Sequence, residues 1–119
     1  MNNDHNNFNV QYSEIVFFES VLASHAAVVS FQRNNDIRFE IERNNGMSNL
    51  SVVLVSEYML GESFAYKVLV EFPGIDCIVN NGKWNGIALD QEEFKINTEV
   101  EVFKISQFLG ALNNPSTGR

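Results

Sequence analysis

The sequence predicts an α+β fold, in which a four-stranded antiparallel sheet is followed by one C-terminal helix that packs on it. Through most of the first two thirds of the chain, apolar and polar residues alternate, which is the period of a strand with one buried face. After Pro73-Gly74 the pattern changes to acids and a spaced apolar stripe, which are typical of a helix. Asn doublets separate the apolar runs and suit turns, because asparagine tolerates positive φ.

The first strand is predicted over residues 8–19, and residues 28–32 are either its continuation or a short separate strand. Residues 36–43 alternate strictly, with Ile37, Phe39 and Ile41 on one face and charged residues on the other. This alternation predicts a half-buried strand of an antiparallel sheet. Residues 50–58 form a continuous, β-branched run, which is typical of a central strand that is covered on both sides.

Residues 64–72 are predicted as the next strand, and Leu60-Gly61-Glu62 as the hairpin turn before it. The helix is predicted to begin near Asn97, because Thr98 and Glu101 have the spacing of a capping box. Pro115 follows its last turn, as expected of a helix end. The chain is therefore predicted to form a single domain over residues 8–119, after a flexible N-terminus of residues 1–7.

The composition excludes several classes of protein. The chain has 119 residues, of which 45% are apolar, and a net charge of −7, so it can build a core and is not disordered. The excess of acids argues against nucleic acid as a partner, since phosphate binding needs clustered Lys and Arg. No apolar run approaches the ~18 residues of a membrane span, so membrane insertion is not expected. The protein is predicted to be soluble and cytoplasmic, with its single Cys77 reduced.

The residues give no positive reason to predict an enzyme. His5 and His25 have no second His, Cys or Asp at ligand spacing, so no metal and no cofactor are predicted. Cys77 follows an apolar run without an adjacent basic group and is predicted to pack rather than react. The pair Glu92-Glu93 is better explained as a solvated helix start than as an acid–base pair, because nothing implies a pocket that separates two pKa values.

Four segments of the chain, taken in their order and spacing, resemble segments of one known protein family. They are Phe8-Asn9-Val10-Gln11 with Phe18-Glu19-Ser20; Phe31-Gln32 with residues 36–42; Val52-Val53-Leu54 with Leu60-Gly61-Glu62, Val70, Gly74-Ile75 and Ile78; and Ile96-Asn97 with Phe103. Together they resemble the bacterial export chaperone family SecB over residues 8–112. The resemblance departs at Phe103-Lys104-Ile105-Ser106-Gln107, which stands where the family begins its first helix with Phe-Pro-Tyr-Leu-Arg.

The resemblance implies an ATP-independent chaperone that binds unfolded polypeptide clients and assembles as a homo-oligomer, a dimer or a tetramer. Its implied client-binding groove comprises Val10, Tyr12, Phe17, Phe31, Tyr58 and Trp84. The implied acidic patch for docking a partner comprises Glu14, Glu19, Glu40 and Glu42. The export motor SecA is a further implied partner, although Lys67 and Leu69 stand where the family has an apolar residue and an acid. Lys67, together with Ile15 at the position that matches the family's first-strand acid, favours a chaperone dedicated to one client, such as an antitoxin, over general export.

Other interpretations of the same residues remain open. The aromatic residues of the implied groove can instead be core residues, and the four acids can simply be solvated. A different class of protein is equally compatible with the size and charge of the chain: a small acidic inhibitor or immunity protein that binds one folded, basic target by charge complementarity. The two classes differ in the state of the bound protein, since a chaperone binds many unfolded chains and an inhibitor binds one folded partner tightly.

Overall fold

A five-stranded mixed sheet lies at the centre of the protein, in a computed structural model that describes Phe8 and residues 10–118. The helices are α1 (Tyr12–Ser24), α2 (Glu62–Glu71), α3 (Gln91–Thr98) and α4 (Ile105–Ala111). The strands are β1 (Val28–Asn34), β2 (Arg38–Arg43), β3 (Leu50–Val55), β4 (Met59–Leu60), β5 (Cys77–Asn80), β6 (Gly86–Ile87) and β7 (Glu101–Lys104). The predicted N-terminal segment 1–7 lies outside the described residues.

The sheet has the strand order β1-β2-β3-β5-β7, and its two halves differ in direction. β1, β2 and β3 pair antiparallel, with Phe31 opposite Ile41 and Phe39 opposite Val52. β3, β5 and β7 pair parallel, with Val53 opposite Ile78 and Ile78 opposite Val102. Parallel neighbours need a long crossover connection, and α2 and α3 supply the two crossovers. β4 and β6 form a separate two-stranded parallel sheet.

The predicted four-stranded antiparallel sheet with one C-terminal helix is therefore wrong. The chain forms a five-stranded mixed sheet with four helices. The predictions for residues 28–32, 36–43 and 50–58 are confirmed as β1, β2 and β3, although β3 ends at Val55. All six residues of β3 are buried, as expected of a strand covered on both sides. The error arose where an apolar run fits both the period of a strand and that of a helix.

The predicted first strand over residues 8–19 is mostly helix α1. Its buried residues are Ile15, Phe18 and Leu22, which are spaced i, i+3 and i+7 and so share one helical face. Val16 and Phe17 between them are exposed. The continuous run from Ile15 to Phe18 obscures this period, because four adjacent apolar residues fit either structure.

The predicted strand over residues 64–72 is helix α2, for the same reason. Ala65, Val68 and Phe72 are buried, whereas Tyr66 and Val70, which the alternation placed beside Val68, are exposed. The predicted hairpin turn at residues 60–62 is also wrong, since Leu60 belongs to β4 and Gly61 is the N-cap of α2. The predicted break at Pro73-Gly74 fits the structure, because α2 ends at Glu71.

The predicted C-terminal helix is divided by a strand. α3 ends where Glu99 adopts a positive φ of 63°, β7 follows, and α4 begins directly after it. The N-cap of α3 is Asp90, whose carboxylate accepts the backbone N–H of Glu93 at 3.0 Å. β7 pairs with the backbone groups of β5 and becomes the edge strand of the sheet. Asn35 and Asn45 adopt positive φ in turns, as predicted for the Asn doublets.

The helices cover the two faces of the sheet. On one face, Phe18 of α1 contacts the rings of Phe39 and Phe108, so α1 and α4 pack together there. Side chains of neighbouring strand residues point to opposite faces. Arg38 therefore projects to the other face, where its Nη1 donates to the carbonyl of Pro73 beyond α2. None of the described helices has the length and apolar character needed to cross a membrane.

Candidate functional site

The carboxyl ends of the three parallel strands meet at one edge of the sheet, which we call the carboxyl edge. It comprises residues 56–58 after β3, residues 81–85 after β5, and Lys104 with Ile105 at the end of β7. Ligands of sheets with parallel strands bind in general at this edge. The start of α1 lies against it, because Asn81 Nδ2 donates to Glu14 Oε2 at 3.1 Å.

Asn80 fixes the loops of the carboxyl edge to one another. It is 1% exposed, and its side chain both accepts the backbone N–H of Glu57 and donates to the Glu57 carbonyl, at 2.9 Å in each case. Its Nδ2 also donates to the carbonyl of Gly86 at 3.0 Å. These bonds hold the chain after β3 against the first residue of β6. A buried amide with satisfied partners fixes the loops that surround it.

A second group of asparagine hydrogen bonds closes the loop at residues 81–85. Asn85 Nδ2 donates to the carbonyl of Asn81 at 2.6 Å, and the backbone N–H of Asn81 donates to the carbonyl of Val55 at 2.8 Å. Gly82 turns there with a φ of 109°, which a residue with a side chain rarely adopts. On this fixed base the edge presents two aromatic side chains to solvent, Tyr58 at 74% and Trp84 at 80% exposed.

A cavity of about 630 Å³ opens at the carboxyl edge. Its walls include Glu14, Phe17, Asn81, Lys83, Lys104 and Ile105. Phe17 and Ile105 supply apolar surface, and the aliphatic stems of the two lysines extend it. Lys83 Nζ lies 5.4 Å from the centre of the Trp84 ring, which links the cavity to the exposed tryptophan.

The six predicted groove residues are distributed over four places. Phe17, Tyr58 and Trp84 lie at the carboxyl edge, and Tyr12 is the exposed first residue of α1. Phe31 is half-buried on β1 and lines a different, shallow cavity. Val10 is 1% exposed and belongs to the core, so it cannot contact a client at the surface of this fold.

The four predicted docking acids do not form one free acidic patch. Glu14 and Glu19 lie on α1 rather than on a strand. The carboxylate of Glu14 accepts the N–H of Gln11 at 3.0 Å, and that of Glu19 lies 3.5 Å from Arg33 Nε. Glu40 pairs with Arg38 Nε at 2.9 Å, and Glu42 accepts the hydroxyl of Ser30 at 2.9 Å. Glu40 and Glu42 line the same shallow cavity as Phe31.

Cys77 is buried in β5 and carries a protonated thiol. Burial raises the pKa of this thiol well above its ordinary value of 9.0, and the nearby carboxylates of Glu101 and Asp76 raise it further. A nucleophilic cysteine needs the opposite shift, since the thiolate is the reactive form. Cys77 is therefore a packing residue of the central strand.

The raised pKa of Cys77 predicts a loss of stability at alkaline pH. Above about pH 9 the unfolded chain releases the thiol proton while the folded chain keeps it, so the free energy of unfolding falls as the pH rises. Between pH 9 and pH 10 this loss is expected to be about 1 kcal/mol. Urea unfolding of the wild type and of Cys77→Ala over this range measures it, because other alkaline titrations are common to both proteins. Parallel pH dependences would contradict the prediction.

Within the part of the chain that the structure describes, no three His, Cys, Asp or Glu side chains come together as metal ligands. Comparisons of the chain with protein-family models, with curated proteins and with solved structures found no match in any of the three. The resemblance to SecB thus has no independent support, and the fold that it implied is not the fold of this chain.

Sequence reasoning missed the residues that build the carboxyl edge. As an Asn doublet, Asn80-Asn81 predicts only a turn, whereas both side chains are buried in the structure. A signal is present in the sequence, because Asn80 ends an otherwise apolar strand, where the edge of a parallel sheet needs hydrogen bonds to its loops. Lys83 and Lys104 carry no such local signal, since they come together only through the parallel pairing of β5 and β7.

Proposed function

We propose that this protein is a small, acidic, non-enzymatic binding module that docks on one folded, basic protein, as an inhibitor or immunity protein does. The surface proposed for docking is the outer side of α2 and α3, called here the acidic face. It comprises Glu62, Tyr66, Val70 and Glu71 of α2, and Asp90, Glu92, Glu93, Ile96 and Glu99 on and beside α3.

The observation that carries the proposal is the concentration of charge on the acidic face. α2 and α3 with their flanking residues hold six acids against Lys67 and Lys95, a difference of −4 out of a total of −7 for the chain. Lys95 is already paired, since its Nζ lies 3.3 Å from Glu101 Oε2. Such a surface attracts a basic protein over the distance of charge screening and orients its approach.

The acidic face also has the apolar centre that a specific interface needs. Tyr66 packs edge-on against Phe94 with ring centres 5.1 Å apart, which places α2 beside α3. Val70 is 83% and Ile96 is 75% exposed on the two helices. Glu62, Tyr66 and Val70 follow at four-residue intervals, as do Glu92 and Ile96, so acids and apolar residues share one side of each helix. Apolar contacts within a charged rim are the usual anatomy of an interface between folded proteins.

Ile96→Asp tests the acidic face. The charge replaces an exposed apolar contact, and we expect it to weaken binding of the cognate basic protein by at least about tenfold without destabilising this chain. Val29→Asp is the matched control, because Val29 is an exposed apolar residue of β1, 58% accessible and outside the face. Partners captured by the wild type are compared with those of both variants, and the affinity of a retained 1:1 complex is measured by titration.

The proposal requires a partner that is folded, basic, lost with Ile96→Asp and kept with Val29→Asp. A partner that both variants retain equally would contradict the assignment of the face. Binding should also weaken as salt is added, because charge steering is screened. A cytoplasmic location belongs to the same proposal, since Cys77 is a buried free thiol.

An ATP-independent chaperone that assembles as a homo-oligomer is the second candidate, and the exposed Tyr58 and Trp84 favour it. Unfolded clients gain free energy by burying apolar segments against such side chains. An aggregation assay separates the candidates: a chemically unfolded model protein is diluted with and without this protein, and light scattering is followed. Suppression near one client per oligomer would support the chaperone, and SecA would then be tested as a competitor. No suppression at several-fold excess would remove the general chaperone.

A further inference from the structure

Three described lysines, Lys67, Lys83 and Lys104, form no ion pair with a carboxylate, and two of them line the cavity at the carboxyl edge. Arg33, Arg38 and Lys95 form ion pairs within the described part of the chain. Lys83 and Lys104 form none with any described residue. In a chain with 15 acids and 8 bases, most cations are expected to lie near an acid, so two cations without an acidic partner in one cavity are unexpected.

The cavity joins these cations to an apolar wall. Phe17 of α1 and Ile105 of α4 line the same space as Lys83. Phe17 is 49% exposed although it is a large apolar side chain next to the core residue Phe18. The volume of about 630 Å³ is within the range of sites for small molecules, roughly 300–1,000 Å³.

The one acid on the cavity wall is already engaged. Glu14 Oε1 accepts the backbone N–H of Gln11 at 3.0 Å, and its Oε2 accepts Asn81 Nδ2 at 3.1 Å. Its charge also lies in the first turn of α1, where a helix favours an anion. Glu14 is thus held by the start of α1 and by the loop and forms no ion pair with either lysine, so the charged side chains that line the cavity keep a net charge of +1.

We propose that this cavity binds an organic anion that has one carboxylate, sulfonate or phosphate group and a flat apolar body. The anionic group pairs with Lys83 and Lys104, which bind such groups as compact positive charges. The apolar body lies against Phe17 and Ile105 and leaves water. This site shares no residue with the acidic face and does not depend on the function proposed for it.

The net charge of the chain favours a small anion over a polyanion as the ligand. A polyanion such as a nucleic acid extends beyond the cavity and meets a surface whose net charge is −7. Repulsion acts over roughly 8–10 Å at physiological salt, which is more than the reach of the two lysines. A small anion that fits wholly within the cavity avoids this repulsion, and the ligand is therefore a small molecule.

The test uses anilinonaphthalene sulfonate, an aromatic anion whose fluorescence rises in apolar surroundings. Trp84 is the only tryptophan, so energy transfer from Trp84 reports binding of the probe to the protein, and the variants and the amide shifts assign the binding to this cavity. The double variant Lys83→Gln/Lys104→Gln is expected to bind the probe at least about tenfold more weakly, because both charged contacts are lost. Lys67→Gln is the matched control, since Lys67 lies over the Phe8 ring away from the cavity, and it should change affinity less than about twofold.

A neutral probe of the same shape completes the experiment. N-Phenyl-1-naphthylamine lacks the sulfonate and is expected to bind the wild type at least about tenfold more weakly than the anion. Amide shifts in nuclear magnetic resonance spectra should change at residues 81–85 and at Ile105 on addition of the anion. The proposal is overturned by no binding of the anion, by equal binding of the two probes, by undiminished binding to the double variant, or by shifts confined to another surface.

Discussion

Replacing Arg43 with methionine is expected to lower the free energy of unfolding by about 3–5 kcal/mol, because it leaves the carbonyl groups that Arg43 binds without a donor. Arg43 is 4% exposed at the end of β2. Its guanidinium donates to the carbonyls of Leu112, Asn114 and Thr117 at 3.2, 3.0 and 3.0 Å, and to that of Ser48 at 2.8 Å. Methionine keeps much of the aliphatic length but leaves these acceptors without their donor.

The loss should be concentrated at the C-terminal segment. The carbonyls that Arg43 binds span residues 112–117, so this one side chain attaches the chain after α4 to the β2–β3 connection. Amide hydrogen exchange is therefore expected to accelerate most in residues 112–117, ahead of global unfolding. Urea unfolding followed by circular dichroism gives the global change.

Arg33→Met is the matched control for Arg43→Met. Arg33 is exposed on β1 and contacts Glu19 and Asp36 at the surface, where ion pairs contribute about 0–1 kcal/mol. A loss with Arg43→Met no larger than that with Arg33→Met would contradict the structural role assigned to Arg43.

The elements that the sequence predicted well are those whose pattern admits one period. Residues 36–42 alternate without exception, and residues 50–55 are mostly apolar and rich in valine, so β2 and β3 are predicted correctly. Asn35 and Asn45 were placed in turns because few residues other than Gly tolerate positive φ there. Arg43 lies two residues after Ile41, so the period of a strand places it on the buried face, where the structure has it. Its charge nevertheless predicts an exposed position, because a buried arginine is rare.

The elements that were predicted wrongly needed long-range information. Residues 64–72 fit a period of two as well as a period of 3.6. The parallel pairing of β3 with β5 favours a helix over residues 64–72, because parallel neighbours require a crossover connection and a hairpin cannot supply one. The division of the C-terminal helix has the same origin: residues 101–104 become β7 because β5 offers an open edge beside them.

The candidate site also contains residues that can be predicted from the sequence and residues that cannot. The resemblance to SecB implied that Tyr58 and Trp84 contact a client, and both side chains are exposed in the structure. The pairing of Lys83 with Lys104 around one cavity was not predictable, because 21 positions separate them and their proximity depends on the register of β5 and β7. Charge segregation between the acidic face and the carboxyl edge is likewise a property of the fold and not of any local run.

Replacing Phe18 with alanine is expected to lower the free energy of unfolding by about 3–5 kcal/mol, because it leaves a cavity between two layers of the core. The Phe18 ring lies 4.9 Å from that of Phe39 in β2 and 5.9 Å from that of Phe108 in α4, measured between ring centres. It is 0% exposed. One side chain thus connects α1, the sheet and α4, and its neighbours cannot all move inward to fill the space that it leaves.

Val16→Ala and Phe17→Ala are the matched controls, and they also discriminate between a helix and a strand at this position. In α1, Val16 and Phe17 are 45% and 49% exposed, so each alanine is expected to cost less than about 1 kcal/mol. In a strand, Val16 would share the buried face of Phe18, and its replacement would cost a comparable fraction of the loss for Phe18→Ala. A large loss with Val16→Ala would therefore contradict the helix, and a small loss with Phe18→Ala would contradict the packing of α1 on the sheet. Because Phe17 lines the cavity and Phe18 fills the core, the two adjacent alanine substitutions also separate ligand binding from stability. Phe17→Ala should weaken binding of the anionic probe while leaving the free energy of unfolding nearly unchanged.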